Sequence, residues 1–421
     1  MDAASEPEGL ATPDGTAPVA RARRGTSVDA RLVRRLLGIL GNPAIEFLLL
    51  WTGERIAGPG NAPLVQVRIA DRATLVGLLS DPRVRFGDAY SAGRIEVEGD
   101  LVQLLEIIYR SFPPSTNAGS MARRLARWLH KPRPNTLRGS RSNIHRHYDL
   151  GNEFYSLWLG ETMAYTCAYF PTAEASLEQA QVAKMDHICR KLRLTAGESV
   201  VEAGCGWGSL ALHMAGRYGA KVRAFNISKQ QVQYARERAR EQGLEKQVEF
   251  VEDDYRNIAG RYDVFASVGM LEHVGRENYP ELGRVARRSL NPEGRGLIHS
   301  IGRNWPAPLH PWIEQRIFPG AYAPSLGEMM QIFEPSNLSV LDVENIRLHY
   351  ALTLRQWLAR YEVALGKVRT TFDEFFVRMW RLYLAGSIAA FETGTLQLFQ
   401  VLFTTQENNR IPLTREFMYP R

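Results

Sequence analysis

From residue 172 to 365, short apolar runs alternate with stretches of helical period. The spacing predicts strands over 199–203, 221–227, 248–251, 264–268 and 296–301. Helices are predicted over 177–192, 209–217, 229–242 and 277–290. Such alternation predicts an α/β fold, a doubly wound, Rossmann-like parallel sheet with helices on both faces. Ligands of such sheets sit beyond the carboxyl ends of the strands. Here those ends are 204–208, 226–228, 253–256, 269–273 and 299–301.

Ahead of this region the pattern changes three times. Residues 1–28 are rich in Ala, Pro, Gly and charge without periodicity and read as a disordered tail. Residues 29–112 read as a small N-terminal accessory α+β domain. Leu32, Leu36, Ile39 and Leu40 recur at helical spacing, Leu64–Ile69 alternates, and helices are expected near 75–79 and 101–109. Residues 85–100 hold two glycine turns and a short strand at 95–97. No chemistry is evident, so this domain is expected to bind something or to support a homodimer.

Residues 113–142 form a basic linker. Met121, Leu125, Trp128 and Leu129 fall on one helical stripe, with Arg123, Arg124, Arg127 and Lys131 on the other faces. Two readings stand: a surface helix on an anionic membrane, or a helix packed on the next domain with solvated arginines. The catalytic portion is read as 143–421. It opens on an aromatic-dense stretch, Tyr148 to Phe170, that is either core or a lid. Residues 371–405 read as a long aromatic helical region, core by default, whose surface also suits an acyl-chain tunnel.

The formal charge of +7 on 421 residues suits an anionic partner. No recognised nucleic-acid module is present, so nucleic acid is not expected. Cys167, Cys189 and Cys205 make neither a disulfide framework nor a metal-ligand set and fit a reducing compartment. The longest apolar run near the N-terminus, Phe47–Trp51, is too short to span a bilayer. The expectation is a cytoplasmic protein associated peripherally with the inner face of the membrane.

The chemistry gathers at Gly204-Cys205-Gly206-Trp207-Gly208, between a strand and a helix. A dinucleotide fingerprint would place its third glycine at 209, where the chain has Ser209. The acidic Glu202 before the turn disfavours a pyrophosphate. It suits S-adenosylmethionine (SAM), whose ammonium and sulfonium are both cationic. Asn226 and Gln231 are placed to bond ribose hydroxyls, and Asp253-Asp254 to read an adenine edge. These residues favour a SAM-dependent transferase over an NAD enzyme.

Five blocks in fixed order, HYDLGNEFYSLWLGETMAYTCAYF, VVEAGCGWGSLALHMA, FNISKQQ, SVGMLEHVGRENYPEL and GLIHSIG, closely resemble the cyclopropane-fatty-acyl-phospholipid synthases and the mycolic acid cyclopropane synthases. The resemblance covers about residues 143–400. It implies transfer of the SAM methyl to a cis double bond in an unsaturated acyl chain of a membrane phospholipid. Ring closure follows when bound bicarbonate removes a proton. It implies that Cys167, Glu272, His299, Tyr350 and the backbone near Gly269 and Ile301 hold bicarbonate. SAM is expected to contact Tyr165, Thr166, Glu202, Gly204, Cys205, Gly206, Gly208, Asn226, Gln231, Tyr255 and Arg256.

The chain departs from the family at Glu202, where Asp is usual, and at Ser387, where many members have Cys. Residues 303–345 follow the pattern loosely, which leaves a methyl-branched or methylene product as the alternative. Separate readings of single residues also stand. Glu272 is placed to cap a helix from 277, His299 to sit in the core, and His145 and His147 to be structural or lid residues. A non-catalytic scaffold would lack SAM binding.

Overall fold

The computed structural model describes residues 27–59, 62–111 and 150–419. The tail 1–26, the whole basic linker 113–142 with its surface-helix stripe, and His145 and His147 lie outside the described residues.

The first unit contains α1 (Val28–Ile39), β1 (Ile45–Leu49), β2 (Arg55–Ala57), β3 (Val65–Ile69), α2 (Arg72–Ser80), α3 (Pro82–Ser91), β4 (Ile95–Glu98) and α4 (Leu101–Ser111). Its four strands run in the order β2-β1-β3-β4, with β1 and β3 parallel. The alternating residues of β1 and β3 bury every second side chain, as a sheet with one covered face requires. Of residues 85–100, read from sequence as two glycine turns and a short strand, 85–91 belong instead to the helix Pro82–Ser91. Pro82 at the first turn presets helical φ, and Gly87 is needed because a Cβ there would run into the Trp312 indole.

The second unit continues with α5 (Asn152–Leu159), α6 (Leu177–Lys191), β5 (Ser199–Ala203), α7 (Ser209–Tyr218), β6 (Lys221–Asn226), α8 (Lys229–Glu241), β7 (Val248–Glu252), β8 (Tyr262–Val268), α9 (Tyr279–Ser289) and β9 (Leu290–Gly302). It ends with α10 (Pro311–Arg316), α11 (Leu326–Phe333), β10 (Leu338–Asn345), α12 (Arg347–Val363), α13 (Leu365–Thr371), α14 (Glu374–Glu392) and β11 (Gln397–Thr405). The seven-stranded sheet has the order β10-β11-β9-β8-β5-β6-β7. Strands β5 to β9 are parallel, and β10 and β11 are antiparallel.

The region 371–405 is therefore only partly helical. Residues 397–405 form a strand whose nine side chains are all buried. It lies between β9 and β10, where both faces are covered and the two-residue alternation of a half-exposed strand disappears.

One face of the large sheet is covered by α6, α7 and α8, the other by α9 and α11. A third apolar cluster joins the first unit to the aromatic helices, running from Leu36, Phe47 and Leu105 to Trp158, Trp357 and Trp380. Two arginines fasten this contact. Arg316 forks onto Asp88 with both bonds at 3.0 Å. Arg378 donates to the carbonyls of Tyr90 (2.6 Å) and Ile95 (2.8 Å) and lies over the Tyr90 ring.

Candidate active site

Strand β5 ends in the glycine turn, and three positive φ values follow: +84° at Gly204, +53° at Gly206 and +85° at Gly208. A Cβ on Gly204 would lie 2.7 Å from the Met270 side chain, and one on Gly208 2.7 Å from Phe250. Both the conformation and the space demand glycine. The N–H groups of Gly204 and Cys205 both donate to the Phe225 carbonyl, which pins the turn to β6.

Glu202, one residue before β5 ends, is buried, and its Oε2 has no partner among the described residues. Desolvation raises its carboxyl to about 7, against the opposing pull of the Lys184 ammonium. An unpaired, deeply buried carboxyl oxygen beside a glycine turn fits a cationic ligand. At the end of β6, Asn226 donates to Gln231 Oε1 (2.8 Å) and to the Gly206 carbonyl (3.1 Å). The two amides thus orient each other beside the turn.

The Asp253-Asp254 pair is occupied locally. Asp253 Oδ1 accepts from Asp254 N and Asn257 Nδ2, and Asp254 Oδ1 accepts from Arg256 N. Arg256 lies over the Tyr255 ring and 3.6 Å from Asp254.

A second constellation surrounds a cavity of about 1290 Å³. Tyr165, Thr166, Cys167, Gly269, Glu272, His299, Ile301 and Tyr350 all line it. They come from the loop after α5, the ends of β8 and β9, and α12. The glycine turn, Asn226, Gln231, Tyr255 and Arg256 do not line it. They sit at the adjacent strand ends, and Met270, next to Gly269, packs where Gly204 leaves room.

Glu272 is no helix cap. Its Oε1 accepts the Ile301 N–H at 2.6 Å, while Oε2 is buried without a partner. Burial lifts its carboxyl to about 7. His299 is 2% exposed, and burial first, then nearby Lys184, holds its ring well below the usual histidine range, so it is neutral. Gln400 stands directly opposite on β11, and its Nε2 donates to His299 Nδ1 at 3.1 Å. That bond puts the ring proton on Nε2, which is buried and unpaired. Cys167 is fully buried, and desolvation pushes its thiol far above the usual range, so it is a thiol and not a thiolate.

Two residues absent from the sequence reading complete the surroundings. Gln400 was hidden in a segment read as helix. Lys184, on α6, is 2% exposed and donates to Thr166 Oγ1 at 2.8 Å. Desolvation lowers its ammonium to about 8. Around them the aromatic rings close in: Tyr165 contacts Trp158 and Trp357 at 5.3 and 5.4 Å between centroids, and its hydroxyl bonds Tyr383 at 2.9 Å.

The parallel sheet completed by antiparallel β10 and β11, together with the turn between β5 and α7, defines a class I SAM-dependent methyltransferase. Residues 135–401 match the family described as Mycolic acid cyclopropane synthetase, and the chain belongs to that family. Residues 48–117 match a family described as Domain of unknown function (DUF7884).

Among relatives, a probable fatty acid methyltransferase of Pseudomonas putida is 35% identical over 384 residues, 88% of this chain and 95% of that protein. The cyclopropane-fatty-acyl-phospholipid synthase of Escherichia coli K12 is 39% identical over 270 residues, 64% of this chain and 69% of that protein. The solved mycolic acid cyclopropane synthase CmaA1, complexed with SAH and CTAB, superimposes with a TM-score of 0.60 at 26% identity, covering 63% of this chain and 98% of that one. The protein is thus a SAM-dependent enzyme of lipid methylene transfer.

Proposed function

We propose that the enzyme alkylates a cis double bond in a phospholipid acyl chain and closes a cyclopropane ring, with bicarbonate as the base. One observation supports this most. Glu272 Oε2 and His299 Nε2 are both buried and unpaired, and both residues face one largely apolar cavity. Orphaned groups of this kind cost stability unless a small polar guest satisfies them. An acceptor and a donor side by side fit a protonated oxyanion. Cys167, Tyr350 and the backbone near Gly269 and Ile301 surround the same space.

When bound, SAM supplies an electrophilic methyl group and bicarbonate a weak base for the adjacent carbocation. The protein's part is placement. Glu202 offers its unpaired oxygen to the ammonium of the cofactor, and the glycine turn lets that cofactor lie against backbone. Gln400 keeps the His299 proton on Nε2, where it donates. Glu272, poised near pH 7, accepts from or gives to its guest at little cost. Tyr165, Trp158 and Trp357 exclude water that would trap a cation as an alcohol, and their faces favour positive charge.

A second reading follows from the Pseudomonas relative: an enzyme whose proton loss occurs elsewhere gives a methylene chain, or a methyl branch once a reductant acts. Lipid extracts from a host without such an enzyme separate the two. High-field cyclopropane protons in the NMR spectrum are expected after expression of this chain. Their absence beside a new methyl or methylene signal refutes ring closure. We also place the enzyme at the cytoplasmic membrane face through the basic linker. Reversing the charges of Arg123, Arg124 and Arg127 then lowers binding to anionic vesicles; unchanged binding refutes that placement. No described helix is long and apolar enough to cross a membrane.

A further inference from the structure

Strand β9 runs through the chamber wall with a two-residue period. His299 and Ile301 line the cavity, and the next residue in that register, Arg303, lines it too. Arg303 is half-buried, yet it forms no ion pair and no side-chain hydrogen bond among the described residues, and its Nε is buried without a partner. Only its backbone is held, by the Pro324 carbonyl and a bridge to Ser325. A guanidinium whose Nε is buried without a partner against an apolar wall is costly unless an anion joins it.

Other polar groups share this end of the cavity. His310, the N-cap of α10, feels the charges of both Arg303 and Arg83. Tyr109 of α4 and Tyr322 lie close enough to Arg303 to act on its charge. Tyr322 gives its hydroxyl proton to Glu328, and Asp81 sits 3.9 Å from Arg83 at the outer edge. Trp305 and Arg83 line the cavity and are also exposed, so this end is the mouth. Below it the walls are apolar and come from both units, Leu36, Phe47 and Leu105 on one side and Leu382 and Phe391 on the other.

We propose that Arg303 is the anchor for the phosphate diester of the lipid headgroup, with His310 and Arg83 beside it at the cavity mouth. This rests on the phospholipid reading above and deepens it. The spacing agrees. Two extended residues span at most about 7 Å, and a guanidinium adds a side chain's length. That places the anchor on the order of 10 Å from the Glu272–Ile301 contact. A bilayer's hydrocarbon core is about 30 Å thick, so a mid-chain double bond lies a comparable distance below its headgroup. A phosphate held at Arg303 sets which carbon of the chain reaches the chamber. Desolvation, which pulls the Arg303 guanidinium below its usual pKa while leaving it charged, strengthens a charge-assisted pair with phosphate.

The test compares kcat/KM on dioleoyl phosphatidylglycerol, dioleoylglycerol and oleate, each in phosphatidylcholine vesicles carrying saturated chains. For Arg303→Gln the preference for phosphatidylglycerol over dioleoylglycerol falls about ten- to a hundred-fold, mainly through KM. Arg303→Lys restores part of it, since it keeps the charge and loses the fork. Arg83→Gln, at an exposed side chain that folding tolerates, lowers the preference by up to about fivefold. SAM affinity reports that each variant is folded.

A preference unchanged in both Arg303→Gln and Arg83→Gln overturns the anchor. So does a loss seen on oleate alone, which would assign a carboxylate site. If the wild type converts none of the three lipids, the substrate reading itself has failed, a result separate from either outcome.

Discussion

Replacing Glu272 by Gln separates function from stability within one side chain. The amide keeps the acceptor for the Ile301 N–H, a bond of 2.6 Å, and places an NH2 where the unpaired Oε2 now sits. In the folded protein burial holds the carboxyl at about 7, against 4.5 unperturbed. The folded state therefore binds more protons than the unfolded chain between those values, and stability falls as pH rises through that window.

At pH 8 the ionised carboxylate costs about 3 kcal/mol, and at pH 5.5 only about 1 kcal/mol. Glu272→Gln is expected to be more stable than wild type by these amounts, with Tm about 5 °C higher at pH 8 and a much smaller gain at pH 5.5. Activity moves the other way. Losing an acceptor toward a polar guest is worth about 1.5–3 kcal/mol, a ten- to hundred-fold drop in kcat/KM on oleoyl phospholipid vesicles. Calorimetry at the two pH values and SAH release measure both. An equal Tm gain at pH 5.5 and 8, or activity within twofold of wild type, refutes the account of Glu272 as a desolvated group awaiting a guest.

Gln400→Leu removes the bond that sets the His299 tautomer. The expected result is a ten- to hundred-fold loss of kcat with SAM affinity unchanged in titration calorimetry, and a kcat within threefold of wild type argues against it. Gly208→Ala forces a Cβ to 2.7 Å from Phe250 at φ +85°. It should lower stability by about 1–3 kcal/mol and weaken SAM binding in the same titration. Glu106 of α4 is held up to about 7, chiefly by its hydrogen bond with Glu392 of α14. The contact between the two units should loosen as pH rises through 7, seen as faster amide exchange in α4, and Glu106→Gln should remove that pH dependence.

The parallel strands and the glycine turn were readable because each strand is short, apolar and followed by a helical period. Glu272 and His299 stood out because they sit at the ends of neighbouring strands, whereas Cys167, on a loop, and Tyr350, on α12, were named only through the family resemblance. Gln400 was not readable, since a strand buried on both faces carries no alternation, and LQLFQVLF reads as easily as a helix. Lys184 was hidden by a similar ambiguity. The pattern of α6 marks it as one more polar position, and only tertiary packing makes it 2% exposed. The cavity wall of the first unit was also illegible. Leu36, Phe47 and Leu105 look in sequence like any core residues, and a core and the lining of a greasy chamber have the same composition.

The chamber's roof is borrowed from a neighbouring fold and latched by Arg378 and Arg316. Its watertightness is therefore a property of docking and not of the methyltransferase alone. Weaken the latch, for instance with Arg378→Ala, and the enzyme need not stop. It would instead let solvent in, and hydroxylated acyl chains would accumulate beside the normal product. By-product purity would then be a gauge of how firmly the two halves are shut.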